Sequence, residues 1–262
     1  MIIITLTTDF GNSDGFVGAM KGVILSICPD ARVVDISHEV PPQNLHAGAR
    51  VLSRAARFYP PGTIHVAVVD PGVGTSRRPI AARLGSRFFV APDNGLLTPF
   101  IDEAEKSSDE VTVIHLTVND YWLPEVSRTF HGRDIFAPVA AHLACGVPLK
   151  EMGIVVSDFQ RLSFPRAEKV EGGWLAHVVW VDVFGNLHTD LQCAEVKRET
   201  KPVFHLRRHE IRGLTENYAD AESGELIALQ DSDGYVEFAL VNGSAAKRCG
   251  SLEGEEVLVK IV

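Results

Sequence analysis

The chain has 262 residues and a mass of 28.6 kDa, room for one large domain or two ordinary ones with a full core. Hydrophobic residues make up 45% and charged residues 23%, which excludes collagen-like, low-complexity and disordered chains. With 25 Lys+Arg against 34 Asp+Glu the net charge is -9, a surface that repels phosphate backbones and disfavours a nucleic-acid partner.

Residues 2–7 read as a buried first strand. No basic region precedes this apolar run and no small-residue cleavage site follows it, so a signal peptide is not expected. Phe16, Ala19, Met20, Val23, Ile24 and Ile27 recur at helical spacing, and Pro29 stops that helix. Residues 32–37 form a second strand. Leu45, Ala49, Leu52, Ala56 and Tyr59 mark a second helix, ended by Pro60-Pro61-Gly62. Residues 63–69 form a third apolar strand, 79–84 and 87–91 read as further strands, and a helix is expected from about 133 to 144. Alternating βα units with continuous apolar strands predict an α/β domain built on a mostly parallel sheet, covered on both faces.

The character changes after about Pro165. Residues 174–183 are strand-like and end in a Phe184-Gly185-Asn186 turn. Short runs follow at 203–206, 225–229, 235–240 and 257–261, separated by Gly, Asn and Asp with no helical period between them. Two domains are therefore expected: an α/β domain over 1–165 (net charge -3) and an all-β, barrel-like domain over 166–262 (net charge -6). No apolar run has the length of a membrane span. Cys28, Cys145, Cys193 and Cys249 are far apart and form no CxxC pair, so reduced thiols and a cytoplasmic location are the expectation.

In a doubly wound sheet, ligands bind beyond the carboxyl ends of the strands. Three polar segments fall there. In Thr8-Asp9-Phe10-Gly11, Asp9 either accepts two hydrogen bonds from a ligand diol or shapes an Asx turn. In the loop from Asp70 to Arg78, glycines allow close backbone approach, and Asp70 with Arg77 seven residues on either serves a ligand or braces the turn. This loop lacks the Gly-Lys-Ser/Thr ending of a phosphate loop. In Thr129-Phe130-His131-Gly132-Arg133-Asp134, His131 either meets a ligand or proton, or it or Asp134 caps the helix. The other histidines form no HExxH pattern and read as core or surface residues. A metal centre built from Asp9, Asp70, His131 and Asp134 is chemically open, although no spacing rule favours it.

Taken together, these segments resemble the S-adenosyl-L-methionine (SAM) hydroxide adenosyltransferases, also called SAM hydrolases, relatives of the fluorinase and chlorinase. The resemblance runs over nearly the whole chain. It includes Thr8-Asp9-Phe10-Gly11, Cys28-Pro29, Gly48-Ala49-Arg50, the 70–75 loop, Ala91-Pro92-Asp93-Asn94-Gly95-Leu96-Leu97, the 129–134 segment, Asp182 with Phe184-Gly185-Asn186, and Asn242-Gly243-Ser244-Ala245. It implies an α/β N-terminal domain and a β-barrel C-terminal domain. It also implies a homotrimer that binds SAM between the N-terminal domain of one subunit and the C-terminal domain of the next. SAM would be the substrate rather than a cofactor, with no metal and no membrane.

Residue by residue, the resemblance implies that Asp9 holds the ribose hydroxyls and that Asp70, Arg77 and His131 position and activate water. Asp182 and Asn186 are similar to contacts of the methionine amino group, and Phe184 to a wall of that site. Asn94 is carried over as a substrate contact. Ser232, Val241 and Gly243 are carried over as adenine or carboxylate contacts from the neighbouring subunit. Three positions depart from the halogenases: Asp233 follows Ser232 where those enzymes have an arginine, and the fluorinase has an arginine at Val241 and a tryptophan at Gln43. Two departures bear on the nucleophile. Asp70 replaces a tyrosine of the halogenases, and His131-Gly132 replaces the fluorinase's tyrosine-serine. A carboxylate repels a halide but orients water, so hydrolysis to adenosine and L-methionine is expected. A SAM-dependent halogenase, a SAM- or adenosine-binding sensor without turnover, and a metal-dependent hydrolase are the competing readings.

Overall fold

The computed structural model describes residues 2–196, 201–250 and 253–261. The chain divides into two units, Met1–Ser163 and Phe164–Val262.

The first unit runs β1 (Ile3–Thr8), α1 (Phe16–Ile27), β2 (Arg32–Ser37), α2 (Leu45–Ala56), β3 (Ile64–Val68), β4 (Pro79–Leu84), β5 (Arg87–Pro92), α3 (Thr98–Ser107), β6 (Val111–Leu116), α4 (Ala137–Ala144) and β7 (Gly153–Val155). Its seven strands lie in the order β2-β1-β3-β5-β4-β6-β7. The first four are parallel to one another, but β5-β4, β4-β6 and β6-β7 are antiparallel. The expectation of a mostly parallel sheet is therefore corrected to a mixed one. The reason is local: only Gly85 and Ser86 separate β4 from β5, and two residues close a hairpin but cannot make the crossover that a parallel pair needs. Gly85 takes φ +59°, which suits such a turn.

Helix α1 turns Val17, Met20 and Ile24 inward. They meet Ile4 and Leu6 of β1 and Phe136 and Val139 beside α4 in one core. Each fully buried side chain of this size contributes roughly 1.5–3 kcal/mol. Helix α2 starts where Asn44 accepts a hydrogen bond from the Ala47 amide at 2.9 Å. It packs so closely that a Cβ on Gly48 would lie 2.9 Å from the Val69 side chain. Val69 is the residue before Asp70, so this contact holds the start of that loop.

The second unit runs β8 (Glu168–Val170), β9 (Gly173–Val181), β10 (Leu187–Gln192), β11 (Val203–Leu206), β12 (His209–Arg212), β13 (Leu226–Gln230), β14 (Tyr235–Leu240), α5 (Ala245–Cys249) and β15 (Glu256–Lys260). Its strands follow the path β12-β11-β15-β9-β10-β14-β13, with β8 on β9, and every pairing is antiparallel. Just past β12, the Thr215 amide donates to the Ala228 carbonyl of β13 at 2.8 Å. The two ends of the path thus meet, and the sheet is barrel-like around Phe204, Phe238, Leu187 and Val236.

All four cysteines are unbridged, with Cys145 exposed and the others buried. No helix among the described residues is long and apolar enough to cross a membrane.

Candidate active site

Strands β1 and β3 pair in parallel, with Thr8 opposite Val68, so Asp9 and Asp70 leave neighbouring strands at the same carboxyl edge. β5 pairs with β3 on its other side. Beyond β5, the Asn94 amide donates to the Val69 carbonyl at 2.9 Å, and its oxygen accepts from the Leu96 amide. Asn94 thereby braces the start of the Asp70 loop. The Asp9 carboxylate accepts from the Gln43 amide at 2.8 Å. Gln43 has φ +62°, a conformation uncommon for a residue with a side chain, so this contact orients Asp9 through a strained turn.

The 70–77 loop then folds back on itself. Arg77 Nε donates to Asp70 Oδ1 at 3.1 Å, and Nη2 donates to Oδ2, a two-pronged pair whose side chains are 7% and 5% exposed. Nη2 also lies 3.1 Å from His131 Nδ1. A guanidinium only donates, so Nδ1 accepts, and in the neutral ring the proton resides on Nε2. The Arg77 guanidinium sits over the Phe136 ring at 5.3 Å. Its remaining nitrogen, Nη1, is buried and has no hydrogen-bond partner. A buried donor of this kind costs free energy unless something accepts from it.

His131 is carried by an unusual turn. Residues Gly132–Phe136 form one π-helical turn that leads into α4, where a plain α-helix from about 133 was expected. Such turns add one residue to a helix and recur at functional sites. Asp134, fully buried, accepts from the Ser127 amide (2.8 Å), the Ser127 hydroxyl (2.6 Å) and Arg133 Nε (2.6 Å). It closes the 127–134 segment on itself and makes no side-chain cap on its own helix. Two close approaches lock the loops together. A Cβ on Gly74, at φ +75°, would sit 2.3 Å from the Arg128 carbonyl oxygen, and one on Gly132 would sit 3.1 Å from the Phe10 ring.

Electrostatics follow from this burial. Loss of water raises the Asp70 carboxyl above its ordinary value of 3.8 and outweighs the opposing Arg77 and His131. Burial first, and the Arg77 charge second, pull His131 below its ordinary 6.5. A carboxylate of raised basicity thus lies beside a neutral imidazole and an arginine whose Nη1 is unpartnered.

The residues beside the singled-out ones were not anticipated. Phe10, Phe16 and Phe130 form an edge-to-face cluster with centroids 5.1–6.0 Å apart, next in sequence to Asp9 and His131. Phe136 under Arg77 was likewise unmarked. The only available signal was aromatic residues flanking both polar segments.

The second unit gathers its own candidates. Asp182 Oδ1 accepts from the amides of Phe184 (2.9 Å) and Asn186 (2.8 Å), and Oδ2 accepts from Asn186 Nδ2 (3.1 Å). This loop presents Val183 and Phe184 to solvent, 91% and 73% exposed. Gly185, at φ +85°, admits the close approach of Ser244: a Cβ there would lie 2.1 Å from its hydroxyl. Gly243, one residue before Ser244, is therefore near this loop in space. Ser232 is exposed on the β13–β14 turn. Val241 differs from these: its side chain is buried with Ile227, Leu229 and Ala239.

The set Asp9, Asp70, His131 and Asp134 is not a metal-ligand group among the described residues, because Asp134 is committed to Ser127 and Arg133. The side chains that do approach ligand spacing are His188, Asp231 and Glu237.

Comparison with known proteins adds the following. Residues 4–153 match the model of the SAM hydroxide adenosyltransferase N-terminal domain, and residues 176–258 match that of the C-terminal domain. An (R)-S-adenosyl-L-methionine hydrolase of Salinispora tropica is 41% identical over 98% of this chain and 97% of its own. A fluorinase of an Actinoplanes species is 32% identical over 75% of this chain and 74% of its own. The crystal structure of an uncharacterized conserved protein from Thermotoga maritima superposes with a TM-score of 0.88 at 35% identity, covering 99% of this chain and all of that one.

Proposed function

The chain belongs to the SAM hydroxide adenosyltransferase family, and from that premise we propose that it hydrolyses SAM to adenosine and L-methionine. The reaction is a displacement at C5′. A water oxygen bonds to C5′, the C5′–S bond breaks, and the electron pair leaves on sulfur as a neutral thioether. No acid is needed for that leaving group. The enzyme has to align the water, strip it of solvent and receive its proton.

The buried Asp70–Arg77–His131 cluster is the observation that carries this reading. Arg77 Nη1, a buried donor without a protein partner, fits the oxygen nucleophile. Asp70 fits the proton acceptor, because burial raises its affinity for a proton. His131, with Nδ1 engaged by Arg77, holds the guanidinium in place. The same carboxylate counts against a halide, since two anions in one buried site repel.

For substrate binding, Asp9 takes the ribose hydroxyls and Asn94 supports the loop beside them. Asp182 and Asn186 take the methionine ammonium, with Phe184 as a wall. Ser232, Val241 and Gly243 contribute adenine and carboxylate contacts. In this reading the protein is a cytoplasmic homotrimer whose sites are shared between subunits. The exposed Val183 and Phe184 support a partner surface there, and the four unbridged thiols support a reducing compartment.

The test is product identification after incubation with SAM in water enriched in oxygen-18, with a chelator present and with excess chloride. Adenosine carrying the label at its 5′-oxygen, unaffected by chelator, is expected. 5′-Chloro-5′-deoxyadenosine, or activity that needs a divalent metal, would replace this function by the halogenase or the metal-dependent reading.

A further inference from the structure

The second unit holds an ionisable cluster that the reaction above does not use. His188 on β10 is 6% exposed, and its ring stacks on Trp180 with centroids 4.4 Å apart at 23°. Three carboxylates face it: Asp182 from the β9–β10 loop, Asp231 from the β13–β14 turn, and Glu237, its direct cross-strand neighbour on β14. Tyr218 donates to Glu237 Oε1 at 2.6 Å. Among the described residues no lysine or arginine pairs with any of the three carboxylates.

The hydrogens can be assigned from the contacts. His188 Nδ1 lies 3.0 Å from Asp231 Oδ2 and 3.5 Å from Glu237 Oε2. Asp231 Oδ1 already accepts from the Asp233 and Tyr235 amides, so Oδ2 is the oxygen turned to the ring. An ionised carboxylate only accepts, and Nδ1 therefore carries a hydrogen. In a neutral imidazole the other nitrogen would then present a lone pair. Nε2 is buried, has no hydrogen-bond partner, and lies 3.5 Å from Asp182 Oδ2. A lone pair and a carboxylate oxygen held that close repel. A second ring proton converts the contact into an attraction between unlike charges.

We propose that His188 is held doubly protonated between Asp231 and Asp182, and that this imidazolium is the positioning residue that keeps the Asp182 carboxylate aimed at the substrate's α-ammonium group. The positioning half rests on the reading of SAM as substrate. Removing the imidazolium would leave three carboxylates together. Burial, Asp182 and Asp231 already raise the Glu237 carboxyl. Burial also works against the Asp231 charge, yet the His188 hydrogen bond and the two backbone amides hold its carboxyl below the ordinary range. Without His188 that support is gone, and the mutual repulsion of the three carboxylates would turn Asp182 away from the ammonium.

Two measurements test this. In protein labelled with nitrogen-15 at histidine, the His188 signals, assigned by their absence in His188→Gln, are expected to show both ring nitrogens protonated at neutral pH. A single protonated nitrogen overturns the proposal, whatever the activity. The second measurement is steady-state kinetics with SAM and with the analogue in which hydrogen replaces the α-amino group. His188→Leu is expected to raise KM for SAM about tenfold, the loss of roughly one charge-assisted hydrogen bond, with kcat within about twofold. KM for the analogue should not move, and His188→Gln, which keeps one donor, should restore part of the loss. An equal rise for both substrates overturns the positioning role. Wild-type protein that turns over neither substrate defeats the SAM reading and the positioning role with it, while the spectrum still decides the doubly protonated state.

Discussion

Asp70 and His131 are tuned in opposite directions by the same burial, and each shift suits the role proposed for it. Asp70 must be ionised to receive a proton, and its carboxyl is raised above 3.8. His131 must be neutral to accept from Arg77, and it is lowered below 6.5. Both functional forms are lost as pH falls, so kcat should drop on the acid side, with its limb above the ordinary carboxyl value of 3.8 because the Asp70 carboxyl is raised. A pH profile of kcat in which turnover rises toward acid would contradict these roles. Asp70→Asn and His131→Ala should each lower kcat by about a hundredfold or more while equilibrium binding of SAM changes little. The identity of these residues could be read from the sequence, because each follows or precedes a strongly patterned element. Their partners could not. Arg77 and Arg78 are adjacent, yet Arg77 goes to Asp70 while Arg78 bridges buried Asp93 and exposed Asp158. Only the path of the folded loop distinguishes them.

Elements with a long apolar face were readable in advance, and those whose burial is polar were not. Helices α1 and α2 begin at the residues their periodicity marks. Strand β10 was missed because it reads Leu-His-Thr-Asp-Leu-Gln. Its polar side chains find partners within the unit: His188 Nδ1 meets Asp231, Thr189 the Val236 carbonyl, and Asp190 the His177 amide. Helix α3 has only Phe100, Ile101 and Ala104 as buried apolar side chains, although Pro99 in its first turn was a usable start signal. The loop carrying Asp70 and Arg77 depends on a contact that no pattern announces, that of Gly74 with the Arg128 carbonyl. Gly74→Ala should therefore destabilise the fold by roughly 1–3 kcal/mol and lower kcat, by displacing Arg77 from His131. Gly62→Ala is the control: Gly62 shares the positive φ (+82°) but has nothing within 4 Å of an added Cβ. If the two variants behave alike in kinetics, the Gly74 contact does not position the site.

For the assembled protein, the proposal of sites shared between subunits predicts complementation. Asp70→Asn damages the first unit and Asp182→Ala the second, so each variant alone is expected to lose most of its turnover. After the two are unfolded together and refolded as a mixture, about a quarter of the sites should join an intact first unit to an intact neighbouring second unit, by random combination in a closed ring. Turnover near that fraction is expected. Sites confined to one chain would give none, since every chain carries a lesion. Light scattering should meanwhile report about three times the 28.6 kDa chain mass. The two-part organisation was visible in advance from the loss of helical periodicity after about Pro165. The mixed sheet of the first unit does not follow from its alternating strands and helices; its signal in the sequence is the two-residue gap between β4 and β5.

The π-helical turn at Gly132–Phe136 separates two demands that a continuous α-helix would tie together. The residues of α4 after it pack into the core, and His131 before it faces Arg77. An α-helix advances about 100° per residue, so the extra residue sets the angular phase of one side against the other. Deleting Arg133, the one residue of 132–136 that is not buried, would let the turn heal into ordinary helix and keep the α4 core in register, while swinging His131 away from Arg77 by that angle. The domain can thus lose its chemistry and keep its fold through one codon, an easily crossed boundary between a catalyst and a plain binding protein on the same scaffold.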